Sequence, residues 1–438
     1  MLVWFVLFYA VDGRKDILKL HWRKWVLIPA VAFCLYLIGN ELLHPKEVES
    51  QGIVYLAVLL CGAVGSADVE ARKRLWAAWR LGMKIAFFIS AGFCFFCRPI
   101  LLGSRYLGVY SNPNGLGIFA LLASVMIIYD IDKDLGGDRI CWAKVVGNLV
   151  LVGMANTFLY LSQARTSLLA LAFAVCGWGM WRLLCTPERK KAVKVWGIAM
   201  LASVLASVAC FPACYWTLMN VPDRYGKPLT FEGDIYKRKE ETGSREGRND
   251  CYTLSVSNRL PLLWEETVLE TETEPQEEKT NFIEEWFSEN GMLARIFTKT
   301  SDLGTFGGRK SVWEAYAAGL NWEGHESNFL TVETSGRVYA GAHNNFLMYG
   351  YMYGIPSMPL YGLLLAVMFA ACIFYSKLES HGKEEGLLFF MFFLSFLAVT
   401  FSEEQFTNIY HVMVLPFWLL AGTLSVKSFE KVLLEKGA

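Results

Sequence analysis

Hydrophobic positions come in long blocks along this chain. After a short run at 1–11, apolar segments cover roughly 25–43, 52–67, 83–102, 115–129, 141–161, 167–184 and 193–214. Then comes a long polar stretch, followed by further apolar segments at 345–375, 387–401 and 410–426. A helix of about 20 apolar residues crosses the hydrocarbon core of a bilayer. Open strands leave backbone groups unsatisfied there, so each block predicts a helix. The pattern therefore predicts an all-α fold, a polytopic transmembrane helical bundle of about eleven spans. It divides into an N-terminal bundle (1–214), one large, partly helical loop (215–344), and C-terminal spans with a short tail (345–438).

The run at 1–11 is about half the length of a span. Asp12-Gly13-Arg14-Lys15 follows it instead of a small-residue cleavage site, so it reads as the tail of a span whose start lies upstream and not as a signal peptide.

Charge in the connections sets an orientation. Arg14, Lys15, Lys19, Arg23 and Lys24 fill the first, and Arg72, Lys73, Arg74 and Arg80 the third. Lys133, Arg139 and Lys144 fall in the fifth, and Arg182, Arg189, Lys190, Lys191 and Lys194 in the seventh. Lys377 and Lys383 lie in the ninth, and Lys427, Lys431 and Lys436 follow the last segment. The even connections are poor in Lys and Arg: the fourth has Arg105 alone, and the tenth carries Glu403 and Glu404. Lys and Arg favour the cytoplasmic side. The long polar eighth connection is therefore expected outside the cytoplasm, on a multi-pass protein of the cytoplasmic (inner) membrane.

Composition narrows the class. Of 438 residues, 54% are hydrophobic and 19% charged, below the quarter usual in soluble domains. Formal net charge is zero, so no basic field points to nucleic acid. Of 11 cysteines, Cys34, Cys61, Cys94, Cys97, Cys176 and Cys372 sit in apolar runs and read as small buried side chains. Cys251 stands alone in the polar stretch, which gives no disulfide framework. No Cys/His spacing resembles a zinc site, and no cofactor is expected.

The polar stretch changes character along its length. Residues 222–278 are charged and dense in Glu, a composition expected to be mobile or loosely folded. From Asn281, Phe282, Ile283, Trp286, Phe287, Leu293, Ile296 and Phe297 recur at helical spacing. A second helical pattern, Val312, Trp313, Tyr316, Ala317 and Leu320, begins after Gly307-Gly308-Arg309.

The candidates for chemistry gather on the non-basic side. Arg165 lies at a span edge among Ser162, Gln163, Thr166 and Ser167. It either snorkels to headgroups or offers a planar donor fork to a diphosphate. Arg309 is expected at a helix start, after glycines that permit close approach of a ligand. His343 lies where the polar stretch re-enters the membrane, and a neutral imidazole there suits a hydroxyl proton. Asn344 and Asn345 either bind substrate or cap the next helix. Ser111-Asn112-Pro113-Asn114-Gly115 is a turn by residue type, and beside Arg105 its asparagines suit sugar hydroxyls. Glu403 and Glu404 either pair with Arg105 or Arg165 or terminate a span. His411 reads as structural.

Four stretches together resemble a known group. They are Arg105-x-x-Gly108-x-x-x-Asn112-Pro113-Asn114, Ser162-Gln163-Ala164-Arg165-Thr166-Ser167, Gly308-Arg309 with Trp313, and His343-Asn344-Asn345-Phe346. In this order around a large loop, they resemble the O-antigen ligase / O-antigen polymerase superfamily of bacterial membrane glycosyltransferases. The resemblance implies a helical membrane bundle. Its donor would be a glycan on a polyprenyl diphosphate, passed to a glycan or lipid-glycan acceptor on the outer face without a nucleotide sugar or a required metal. It implies that Arg165 and Arg309 hold the diphosphate and that His343 binds or deprotonates the acceptor. Arg105, Asn112, Asn114, Gln163, Trp313, Asn344 and Asn345 would line the substrate site. The expected activity is polymerisation or ligation of a surface polysaccharide. The rival is a transporter or flippase of lipid-linked sugars, since Gly350, Gly354 and Pro356 interrupt one span.

Overall fold

The computed structural model describes residues 21–46, 50–96, 101–102, 105–106, 108, 110, 112–137, 140–185, 189–224, 309–332, 337–339, 341–378, 383–403 and 411–428. Among them, helices dominate. In chain order they are α1 (Lys24–Leu43), α2 (Gln51–Gly65), α3 (Val69–Phe96), α4 (Pro113–Gly136), α5 (Trp142–Ser162), α6 (Arg165–Cys185) and α7 (Arg189–Arg224). There follow α8 (Arg309–Ala318), α9 (Asn345–Tyr353), α10 (Ser357–Leu378), α11 (Lys383–Thr400) and α12 (Val414–Leu424). Three short antiparallel ladders accompany them: β1 (His21–Trp22) with β6 (Val426–Lys427), β2 (Leu101–Leu102) with β3 (Arg105–Tyr106), and β4 (Leu330–Val332) with β5 (Arg337–Tyr339).

Seven helices, α1, α3 to α7 and α10, are long and apolar enough to cross a membrane, while α2, α11 and α12 are shorter apolar helices. The chain is thus an all-helical, multi-pass membrane protein. The segment 345–375, in which Gly350, Gly354 and Pro356 were expected to interrupt the span, is divided into α9 and α10 at Gly354, whose φ of 85° is in the left-handed region that favours glycine. One expectation changes. Helix α7 runs past the end of its apolar segment to Arg224. The expectations for 1–11, 225–278, 281–297, Gly307 and Gly308 fall outside the described residues.

The helices form two groups. In the first, α4 lies at the centre, against α3, α5, α6, α7 and α11. Every residue from Leu116 to Tyr129 is buried, so α4 is apolar all round because it meets protein on every side. Ser124 donates to Asn156 (2.9 Å), and Asn156 to Ser207 (2.8 Å), linking α4, α5 and α7 through polar groups that lipid would leave unsatisfied. In the second group, α1, α2, α10 and α12 pack together. Glycines let α2 and α12 touch backbone to backbone. A Cβ on Gly62 would meet the Leu419 carbonyl oxygen at 2.3 Å, and one on Gly422 the Leu59 carbonyl oxygen at 2.0 Å. Tyr55, Trp418 and Phe33 stack beside this contact.

Helix α11 joins the groups, touching α4 and α6 on one side and α10 and α12 on the other. At its start, Arg23, Arg72, Glu385 and Ser428 tie the segment before α1 and the first turns of α3 and α11 to the segment after α12. Arg23 donates to the carbonyls of Leu424 (3.1 Å) and Val426 (2.6 Å). Its end, at Thr400, leads to the site described next.

Candidate active site around Glu403

Of the helices that begin at this end of the bundle, four bring residues singled out from the sequence to one place. Helix α4 opens with Asn112 as its cap, the side-chain oxygen accepting from the Asn114 amide at 2.8 Å. Helix α6 opens at Arg165, after a turn through Gln163 in the left-handed region (φ 50°). Helix α8 opens at Arg309, and α9 follows Asn344, whose side-chain oxygen accepts from the Leu347 amide at 3.1 Å. Asn112 and Asn344 are therefore helix caps, a role considered from the sequence for Asn344 but not for Asn112, which was read as part of a turn.

Glu403, just beyond α11, gathers these elements. Its Oε1 accepts from Arg309 Nη2 at 2.6 Å and from Asn114 Nδ2 at 2.9 Å. Its Oε2 lies 3.3 Å from His343 Nδ1. Glu403 and Glu404 were expected either to pair with Arg105 or Arg165 or to terminate a span; Glu403 follows the end of α11 and is paired with Arg309 and His343. No periodicity predicts that choice, because the polar stretch returns Arg309 and His343 to the end of α11 only through the fold. Arg309 Nη1 also reaches Thr166 Oγ1 at 3.5 Å, joining α8 to α6.

The Glu403 side chain is 8% exposed, whereas that of His343 is 41% exposed. Burial pushes the Glu403 carboxyl up, but the hydrogen bond from His343 and the charge of Arg309 outweigh it and hold it below its ordinary value. It is therefore an anion at neutral pH. An ionised carboxylate only accepts, so its contact with Nδ1 places the ring proton there. In the neutral ring, Nε2 then carries the lone pair.

Other candidates surround this centre. Asn344 Nδ2 donates to the Phe401 carbonyl (3.2 Å), and Asn345 Nδ2 to Thr400 Oγ1 (3.4 Å), so both fix α9 to the end of α11. Trp313 is half-buried, one turn after Arg309 in α8. Arg165 is exposed at the first residue of α6. Arg105 lies in β3, but its side chain is outside the described set, as is Glu404. Gly117 brings α4 close to the Arg165 turn: a Cβ there would meet the Ala164 methyl at 2.4 Å and Ser162 Oγ at 3.0 Å.

Among the described residues, the non-glycines in the left-handed region are Gln163 and His343 (φ 48°). Such a conformation costs on the order of 1–2 kcal/mol per residue. Both belong to this site, which is where strained backbone concentrates in functional proteins.

No protein-family model, curated protein or solved structure matches the chain. The reading of the site therefore stands on its residues. Two roles were missed in the sequence, those of Glu403 and Thr166. The available signal for the first was a carboxylate directly after an apolar run on the side poor in Lys and Arg.

Chemically, the arrangement suits an anionic group. The N-termini of α4, α6, α8 and α9 carry partial positive charge. Arg309 and Arg165 add full charges at two of those starts. Beside them stands an imidazole whose tautomer is set by a buried carboxylate.

Proposed function

We propose that this protein is an integral-membrane glycosyltransferase of the O-antigen polymerase or ligase type. It takes a polyprenyl-diphosphate-linked oligosaccharide as donor on the extracytoplasmic face of the inner membrane. The glycan passes to another glycan or lipid-glycan, polymerising or ligating a surface polysaccharide. The observation that carries this reading is the meeting of Arg309, His343 and Glu403 where four helices begin. That end lies opposite the Arg23 and Arg72 end, so the alternation of basic connections favours the outside.

The reaction follows from these groups. An acceptor hydroxyl attacks the anomeric carbon, and the bond from that carbon to the phosphate oxygen breaks. The hydroxyl proton passes to Nε2 of His343, and Glu403 at Nδ1 stabilises the imidazolium that forms. Charge develops on the departing polyprenyl diphosphate, where Arg309, Arg165 and the helix starts offset it. Donors aimed at such charge are worth about 10²–10³ in rate each. The proton is then released to water.

A second reading has one observation in its favour. Helices α9 and α10 form a broken pair with an N-terminus at the site, the design by which transporters bind anionic groups. One experiment separates the two. The purified protein in liposomes is given a polyprenyl-diphosphate-linked repeat unit, and the product is sized on a gel. A ladder of lengths supports polymerisation, and one product that requires a second acceptor supports ligation. A glycan that crosses the bilayer unaltered makes the protein a transporter.

A further inference from the structure

We infer that Trp322 is a bilayer anchor, seated at the boundary between headgroups and acyl chains at the site end of the molecule. This inference is independent of the chemistry at Glu403.

The residue sits on a tightly fixed loop. The Asn321 carbonyl accepts from the Ile355 amide at 2.8 Å, and the His325 amide donates to the Tyr351 carbonyl at 3.0 Å. The His325 ring stacks on Tyr351 with centroids 4.0 Å apart. Gly324 and Gly354, both at positive φ, interlock: a Cβ on Gly324 would meet the Met352 carbonyl oxygen at 2.2 Å, and one on Gly354 the Trp322 carbonyl oxygen at 2.2 Å. Yet the Trp322 side chain is 72% exposed. A backbone held this firmly presents its indole at a fixed height.

Helix α1 gives that height. Its 20 residues span about 30 Å, the thickness of the hydrocarbon core. Asn40, in its last turn, donates to the carbonyl of Glu323 at 2.8 Å, which places Trp322 level with the end of α1. Leu42 and Leu43 at that end are 78% and 77% exposed, continuing the lipid-facing surface. Trp25, 43% exposed, occupies the first turn of the same helix. The two indoles thus mark the two ends of one span, where amphipathic rings collect in membrane proteins. Because the loop is bonded to the break between α9 and α10, the anchor also fixes the depth of α9, and hence of His343 just before it.

The test uses the full-length protein in bilayers carrying bromine either near the headgroups or near the acyl-chain ends. The fluorescence lost on Trp322→Phe isolates the indole in question, and Trp25→Phe is the matched control. The Trp322 component is expected to be quenched about twofold more by shallow than by deep bromine, as is the Trp25 component. If the Trp25 component responds and the Trp322 component does not, the inference fails. A Trp322 signal that responds to soluble oligosaccharide and not to bromine likewise overturns it, and would make this residue a sugar platform.

Discussion

A glutamate stands near the start of helix α11 and another just beyond its end, and each forms a 2.6 Å ion pair with an arginine from a distant part of the chain. The resemblance ends there. At its start, Glu385 and Arg72 are 7% and 1% exposed, and Tyr375 and Ser428 close around them. Beyond its end, Glu403 is 8% exposed, but its partners Arg309 and His343 are 22% and 41% exposed. An ion pair closed off from solvent on both sides serves architecture, since removing one partner strands a desolvated charge. A buried carboxylate holding two accessible cationic or basic groups presents them to a ligand. Solvent access on the partner side separates a latch from a site.

The largest effect should come from breaking the latch. Arg72→Ala or Glu385→Ala is expected to destabilise the protein by about 3–5 kcal/mol, read as an unfolding midpoint in detergent, while folded protein keeps its activity. If both variants unfold like the parent, the closed pair has no architectural role and the contrast is lost.

The site should behave in the opposite way. Arg309→Ala and His343→Ala are each expected to lower transfer by about 10²–10³-fold, with a smaller loss of stability than Arg72→Ala, because Glu403 keeps its other partner and the Asn114 amide in each variant. A loss of stability matching the Arg72→Ala value would make this cluster a second latch.

Glu403→Gln sharpens the comparison. The amide keeps the shape and an acceptor but loses the charge that stabilises imidazolium, so about a tenfold loss of rate is expected. Glu403 also predicts a pH dependence. Its folded-state pKa lies below its ordinary 4.5, so its contribution to stability is present above that value and lost as the pH falls through the lower one. Protection of the α8 and α9 amides from exchange should therefore persist to about pH 4.5 in the parent and lose its acid limb in Glu403→Gln. An identical acid limb in the two proteins would remove Glu403 from the account.

The smallest effect concerns the turn. Gln163→Gly relieves a left-handed non-glycine and should change stability by no more than about 1 kcal/mol, in the stabilising direction. Gly117→Ala forces the same turn away from α4 and should reduce activity more than stability. If it alters neither, the turn has slack and Arg165 is not positioned through it.

Much of the frame was legible in the chain. Apolar blocks of spanning length predicted helices, since a backbone in lipid has few other solutions, and the start of α8 at Arg309 followed from glycines before a helical period. In the block at 345–375, Gly350, Gly354 and Pro356 signalled an interruption although apolar composition continues on both sides of it. There it is the backbone conformation that ends the helix, forced by the close approach of Trp322. The polar residues at helix starts were visible as candidates, and the capping considered for Asn344 is present, as it is at Asn112, where the sequence showed only a turn.

The sequence alone determined that the chain is apolar in blocks, that its basic residues alternate between connections, and that Arg309, His343 and Arg165 are available for chemistry. Such properties are local, readable within a turn or a loop. Only the tertiary structure decided which glutamate meets which arginine. Glu385 pairs with Arg72 across 313 positions and Glu403 with Arg309 across 94, choices set by helix packing around α11. It also decided that one pair is sealed and the other open, because burial belongs to the assembled bundle and not to any stretch of the chain.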